Sequence, residues 1–365
     1  MWRLISIINL ASQRMYFQGA LTLPAERRCI ESILMRNWMQ RGALACLLWP
    51  ISAVFGLLVR VRRSLYRAGM FKVARLPVPV IVVGNIFIGG TGKTPLTIWL
   101  VRQLRQAGYV PGVVSRGYGA AQKDAREVGA DSVFSQVGDE PILIADAAHC
   151  PVMVGRNRGE AARALLAAHP EVNVIVLDDG LQHYAVHRDI EIAVFDERGF
   201  GNAWMLPAGP LREPASRGAD FIVCNGERIP NGMPLNTKRM HVRGDVAERL
   251  ADRTQRLPLS SFYGQDRKIV AAAGIGNPER FFSMLRAAGL AFRGMPLPDH
   301  FDFSGNPFAQ LQADVILITE KDAVKCRQID TLKNDARLWV VPVTAQLDGA
   351  LADNILEKLR GSPTA

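Results

Sequence analysis

The run Gly89-Gly90-Thr91-Gly92-Lys93-Thr94 places three glycines, a lysine and a threonine hydroxyl side by side. Glycines let backbone N–H groups close around oxygen atoms, a lysine brings charge to β/γ-phosphates, and a hydroxyl ligates Mg²⁺. That is the chemistry of a nucleotide-phosphate cradle. The usual loop, Gly-x-x-x-x-Gly-Lys-[Ser/Thr], wants a further glycine where this chain has Phe87. The stretch is therefore either a cradle shortened at its entrance or a tight turn between strand and helix.

A second motif favours the cradle. VNVIVLDDGLQHY (residues 172–184) is an apolar strand that ends in Asp178-Asp179. Carboxylates at the end of such a strand, beside a phosphate loop, hold Mg²⁺ directly or through water. Each motif alone is weak, and together they predict a nucleotide and Mg²⁺. The guanine-reading pattern Asn-Lys-x-Asp is not met by Thr319-Glu320-Lys321-Asp322, which favours ATP over GTP.

Other residues offer two readings each. Asp139-Glu140, in VGDEP, either cap a helix or deprotonate an acceptor. Asp299-His300 is either structural or a base with its orienting partner. Arg116 and Arg212, in glycine- and proline-rich loops, either clamp phosphate or stand in solvent.

Elements able to position these groups follow from the patterning. PVPVIVVGN (residues 77–85) is a continuous apolar run, as in a strand buried on both faces of a parallel sheet. A helix is predicted over 93–107, with Leu96, Trp99, Leu100 and Leu104 on one stripe. Strands at 110–114, 152–154, 172–177 and 190–195 continue the alternation, with helices from Pro141 and over 158–168. The fold class is α/β, a doubly wound, mainly parallel sheet whose ligands sit beyond the carboxyl ends of its strands. The predicted division is an extension (1–34), an apolar and basic membrane-associating segment (35–72), a phosphate-loop kinase domain (73–230), a linker (231–265) and a smaller α/β lobe (266–365).

Composition narrows the partners. A net charge of +10 calls for an acidic one: nucleic acid, anionic lipid or a phosphorylated substrate. Much of this charge brackets the uncharged run ALACLLWPISAVFGLLV (residues 43–59), through Arg36, Arg41, Arg60, Arg62, Arg63, Arg67 and Lys72. With Pro50 inside it, the run fits a kinked helix lying in a membrane surface better than a spanning one. Five scattered cysteines give neither a disulfide framework nor a zinc site. No nucleic-acid recognition motif is present, and no obligate protein partner is implied.

Taken together, RGALACLLWPISAVFGLL, VVGNIFIGGTGKTP, SRGYG, VGDEP, VGRNR, VLDDGLQHY, GNAWMLPAGPLREP, GIGNPERFF, LPDHFDF and TEKDAVK resemble the tetraacyldisaccharide 4′-kinase family, in family order from about Gln40 to Lys325. The resemblance implies γ-phosphate transfer from ATP to the 4′-hydroxyl of a tetraacylated disaccharide 1-phosphate, giving lipid IVA of the lipid A pathway, at the cytoplasmic face of the inner membrane. It implies Asp139 as general base with His300 assisting. Gly89, Gly90, Thr91, Gly92, Lys93 and Thr94 would bind the nucleotide, and Asn85, Arg116 and Arg212 would meet substrate or phosphate. Thr94, Asp178, Asp179 and Glu213 would serve Mg²⁺. Phe301 stands where a tyrosine is also common in the family, and residues 1–30 lack a family counterpart.

Overall fold

Apolar runs buried at every position form the middle of the molecule: β1 (Val80–Gly84), β2 (Pro111–Ser115) and β5 (Val174–Asp178). A strand with no wettable face must be covered on both sides, and helices do this here. The computed structural model describes residues 35–117, 124–264, 267–347 and 349–361. The extension 1–34, and Tyr118-Gly119 of the SRGYG loop, lie outside the described residues.

The remaining strands of the large sheet are β3 (Arg126–Glu127), β4 (Val152–Val154), β6 (Ile190–Asp196), β7 (Phe221–Asn225), β8 (Lys238–Arg243) and β15 (Thr344–Leu347). They run in the order β15-β8-β7-β6-β1-β5-β2-β4-β3. All pairings are parallel except those of the two edge strands, β15 on β8 and β3 on β4. One face is packed by α2 (Lys93–Gln106) and α3 (Asp139–Ala148), with Leu96, Leu100, Leu104 and Ile144 in a shared core. The other face takes Ala161 and Leu165 of α4 (Arg158–Ala168), with Phe55 and Val59 of α1 (Ala43–Arg67) against it. Asn157 starts α4 by accepting from the N–H groups of Gly159 and Glu160, so two otherwise orphaned donors are satisfied.

A second sheet has the order β10-β9-β14-β13-β11-β12. It comprises β9 (Val246–Arg249), β10 (Arg256–Pro258), β11 (Ile269–Ala273), β12 (Arg293–Pro296), β13 (Val315–Thr319) and β14 (Leu338–Val341). Helices α5 (Pro278–Ala287) and α6 (Glu320–Cys326) belong to this lobe.

The strand map corrects two predicted boundaries. Residues 238–249, assigned above to a linker, supply β8 to the large sheet and β9 to the small one. The chain then returns: β15 pairs with β8, and α7 (Ala350–Gly361) buries Leu351, Ile355 and Leu359 in the core of the large sheet. The small lobe is thus an insertion between β8 and β15. The cause of the misreading is physical. In β8 only Met240 is buried, and a strand with one core residue carries almost no periodic signal.

Helix α1 continues past the predicted apolar run to Arg67, with Pro50 inside it. Leu47, Trp49, Ile51, Val54, Leu57 and Val61 are exposed along it, whereas Ala45, Ser52 and Gly56 are buried. The buried side is narrow: the Ser52 hydroxyl donates to the Met205 carbonyl at 2.6 Å, and Gly56 lets Met205 approach closely. Among the described residues one helix, Ala43–Arg67, is long and apolar enough to cross a membrane, with few of its residues covered by protein.

Candidate functional site

The site is built at the carboxyl ends of β1 and β5, which are hydrogen-bonded neighbours. After β1 the chain turns through the glycine loop into α2, so the loop's free N–H groups face the same end of the sheet as Asp178 and Asp179. Gly92 has φ +98°, and a Cβ there would come within 2.2 Å of the Asn225 amide nitrogen. Only glycine fits at that point. The Asn225 amide donates to the Thr91 carbonyl at 3.1 Å, tying the loop to β7. Asn85 is fully buried and donates from its amide to the carbonyls of Phe87 (2.7 Å) and Gly89 (2.9 Å). Its role in the free protein is to shape the loop.

The phosphate end holds alternating charges. Lys93 Nζ lies 3.4 Å from Asn85 Oδ1 and 3.6 Å from Asp179 Oδ1. Arg212 Nη1 lies 3.7 Å from Asp179 Oδ2. Asp178 accepts from the hydroxyls of Thr97 (3.3 Å) and Ser115 (3.2 Å). Burial, followed by the nearby carboxylates Glu140 and Asp179, pushes Asp178 up to about 7. Burial acts on Asp179 in the same sense, but Lys93, Arg212, Arg158 and Arg116 outweigh it and bring the group down to about 2. Arg116 is exposed yet close enough to act on Asp179. Arg158 is buried; loss of hydration and then repulsion from Arg116 lower it to about 10.

These residues suit Mg²⁺. Oδ1 of Asp179 is buried with no hydrogen-bond partner among the described residues, and Asp178 is crowded by carboxylates. Among the described residues no cluster of three His, Cys, Asp or Glu forms a closed metal cage. Mg²⁺ needs none, since it binds through one or two carboxylates, waters and phosphate oxygens. Glu213 has one of its two carboxylate oxygens engaged inside the protein. Its Oε2 lies 2.6 Å from Arg217 Nε and accepts from the Tyr184 hydroxyl at 2.7 Å. It is 1 % exposed, and its Oε1, like Asp179 Oδ1, is buried with no hydrogen-bond partner among the described residues.

Beside this cluster α3 begins with Asp139, 4 % exposed. Its Oδ2 lies 3.1 Å from His300 Nδ1 and 3.1 Å from Lys325 Nζ. His300 itself sits at φ +56°, with its N–H donating to the Gly274 carbonyl at 3.2 Å. Burial alone would raise the Asp139 carboxyl, but Lys321, the His300 hydrogen bond and Lys325 together hold it well below the carboxylate range. Glu140 is lowered chiefly by Lys321, whose Nζ is 3.0 Å away.

The two lobes also meet over the loop. Asp196, at the end of β6, pairs with Arg198 at 2.7 Å and with Arg280 of α5 at 3.1 Å. Arg198 donates to the Gly90 carbonyl at 3.2 Å and lies over the Phe87 ring at 4.3 Å. Sequence reasoning missed Asp196, Arg198, Arg280, Lys321 and Lys325. The lysine spacing in Thr319-Glu320-Lys321-Asp322-Ala323-Val324-Lys325 was the available signal, since i and i+4 share one helix face.

A model of the LpxK family, described as tetraacyldisaccharide-1-P 4′-kinase, matches residues 44–360. The chain belongs to the tetraacyldisaccharide 4′-kinase family. Relatives of that name include one from Janthinobacterium sp. (strain Marseille), 62 % identical over 93 % of this chain and 99 % of its own length. Another, from Herminiimonas arsenicoxydans, is 59 % identical over 94 % of this chain and 100 % of its own. Among solved structures, LpxK from Aquifex aeolicus in complex with ATP superposes with TM-score 0.72 at 28 % identity, covering 87 % of this chain and 99 % of that one. This member of the family thus combines the expected α/β fold with a glycine-rich loop between β1 and α2 and, among the described residues, one long apolar helix.

Proposed function

We propose that this kinase transfers the γ-phosphate of ATP to the 4′-hydroxyl of a tetraacyldisaccharide 1-phosphate, forming lipid IVA in lipid A biosynthesis. One observation carries the reading: the glycine loop, the Asp178-Asp179 pair and the Asp139–His300 pair occupy one region of a chain that matches the family from residue 44 to residue 360.

The loop amides and Lys93 hold the β- and γ-phosphates. Thr94, Asp178 and Asp179 would hold Mg²⁺, which when bound would neutralise charge on the phosphate oxygens. Glu213, which braces Arg217 and Tyr184 through Oε2, would serve Mg²⁺ through Oε1, directly or by way of a water. Arg116 and Arg212 balance phosphate charge. Asp139 accepts the proton of the acceptor hydroxyl as its oxygen attacks the γ-phosphorus and the ADP oxygen departs. His300 fixes the Asp139 carboxylate. A buried, ion-paired carboxylate is a weak base, so proton transfer comes late, as a loose phosphoryl transition state allows. Helix α1 supplies the apolar surface, and Arg60, Arg62, Arg63 and Arg67 the charge, for residence at an anionic bilayer on the cytoplasmic face of the inner membrane.

In detergent, the purified protein should transfer ³²P from ATP to the tetraacyl disaccharide 1-phosphate, with a product mass one phosphate larger. Lys93→Ala or Asp139→Ala should abolish transfer; full activity in both variants would refute the site assignment. ATP hydrolysis stimulated by lipid, without a phosphorylated lipid product, would refute the acceptor.

A further inference from the structure

Two lysines from the inserted lobe reach the carboxylates that start α3. Thr319 caps α6 through the Asp322 N–H, and this fixes Lys321 and Lys325 four residues apart on one face. Lys321 Nζ lies 3.0 Å from Glu140 Oε1 and 3.9 Å from Asp299 Oδ1. Lys325, 3 % exposed, places Nζ 3.1 Å from Asp139 Oδ2 and donates to the Phe301 carbonyl at 3.0 Å. It therefore joins the base to the backbone of the segment that carries His300.

We infer that Lys321 and Lys325 are positioning residues for phosphoryl transfer, holding Asp139 ionised and aimed while it is sealed from water. This rests on the reading of Asp139 as the base. Burial strips a carboxylate of hydration and favours its protonated form. A protonated Asp139 is too weak a base to take the acceptor's proton, and without its charge it holds His300 less firmly. The groups facing Asp139 are Glu140 from its own helix, Asp299 and His300 from the loop after β12, and Lys321 and Lys325 from α6; Asp322 stands behind Lys325. Of these, the lysines are the permanent cations. Both come from the second lobe, so the base is completed only where the two lobes meet. Lysine is suited to the task, since its ammonium bridges a carboxylate and a carbonyl with separate N–H groups.

The test is the pH dependence of kcat on intact protein with saturating ATP and lipid acceptor. In the wild type no acidic limb from Asp139 is expected above about pH 5, whereas Lys325→Met should bring one into range, since burial no longer offset by that cation raises a carboxyl by about 3 units or more, to an apparent value of about 7. The expected result is roughly tenfold loss near pH 6, recovered by about pH 8.5, with KM for ATP unchanged. Lys321→Met should shift the limb in the same direction, and Lys325→Arg should restore much of the wild-type profile. A loss that is uniform across pH, or an unshifted limb in both Met variants, overturns the inference. If Lys325→Met alone does not fold, the coupling is read from melting. The double variant Asp139→Asn with Lys325→Met should then regain most of the lost stability, because a buried charge left unpaired is the costly state. Strictly additive losses overturn the inference as well. If instead Asp139→Ala retains activity, the assignment of the base fails first, and the two failures are distinguishable.

Discussion

Replacing Asp196 by alanine should loosen both the nucleotide loop and the contact between the lobes. Asp196 is 1 % exposed and receives Arg198 through Nε and Nη2, together with Arg280 Nη2 from the second lobe. Deleting a buried partner and leaving its counter-charges costs about 3–5 kcal/mol. The arginines are 19 % and 31 % exposed, so water recovers part of their loss and the lower end, about 3 kcal/mol, applies. With a urea slope of about 3 kcal/mol/M, the transition containing the large sheet should move down by about 1 M. The functional effect is separate. Freed from Asp196, Arg198 no longer holds the Gly90 carbonyl, so KM for ATP should rise about tenfold while KM for the lipid acceptor stays put. Arg280→Met, which removes only the contact across the lobes, should cost about 1 kcal/mol and leave most of the ATP effect absent. An Asp196→Ala protein that melts earlier with unchanged KM for ATP would refute the linkage. An unchanged midpoint would refute the ion-pair accounting.

The remaining predictions concern pH and the membrane. Burial, then Arg158, Arg188, Arg62 and Arg116, lower His183 from 6.5 to about 4, so the folded protein resists a proton that the unfolded chain accepts. Stability should therefore fall as pH drops from about 6.5 towards 4, by up to about 3 kcal/mol, and His183→Gln should flatten this part of a melting-temperature profile. On α1, Leu47→Glu with Ile51→Glu removes two outward apolar side chains one turn apart; vesicle co-sedimentation should weaken by about tenfold or more, with ATP binding unchanged.

The central sheet was legible because β1, β2 and β5 are apolar at nearly every position and each is followed by a glycine turn or a charged cluster. The phosphate end of the candidate site was legible for a related reason, since each of its two motifs, Gly89–Thr94 and Asp178-Asp179, is contiguous in sequence. What could not be read was anything that depends on the lobes meeting. Asp139 and His300 lie far apart in the chain, and only the resemblance joined them before the 3.1 Å contact did. Lys321 and Lys325 looked like any lysine pair on a helix, because their partners come from another lobe. Glu213 came from the resemblance alone, and nothing in the sequence around it announces that Arg217, four residues on, engages one of its carboxylate oxygens. Strands β8 and β15 stayed hidden because a strand with a single buried residue carries too little pattern.

Phe87, which stands where a phosphate loop ordinarily has glycine, has a thermodynamic consequence. Its ring is 1 % exposed in the core under the sheet, its backbone bridges Leu211, and the neighbouring Ile88 N–H donates to Pro210 at 3.0 Å. A glycine there would leave a loop free to fluctuate until a ligand ordered it. Here the ordering entropy is spent when the chain folds, so nucleotide meets a rigid receptor and surrenders little affinity to loop immobilisation. The same arrangement ties substrate affinity to core packing: a cavity opened beneath Phe87 would degrade ATP binding at temperatures where the sheet itself is still intact.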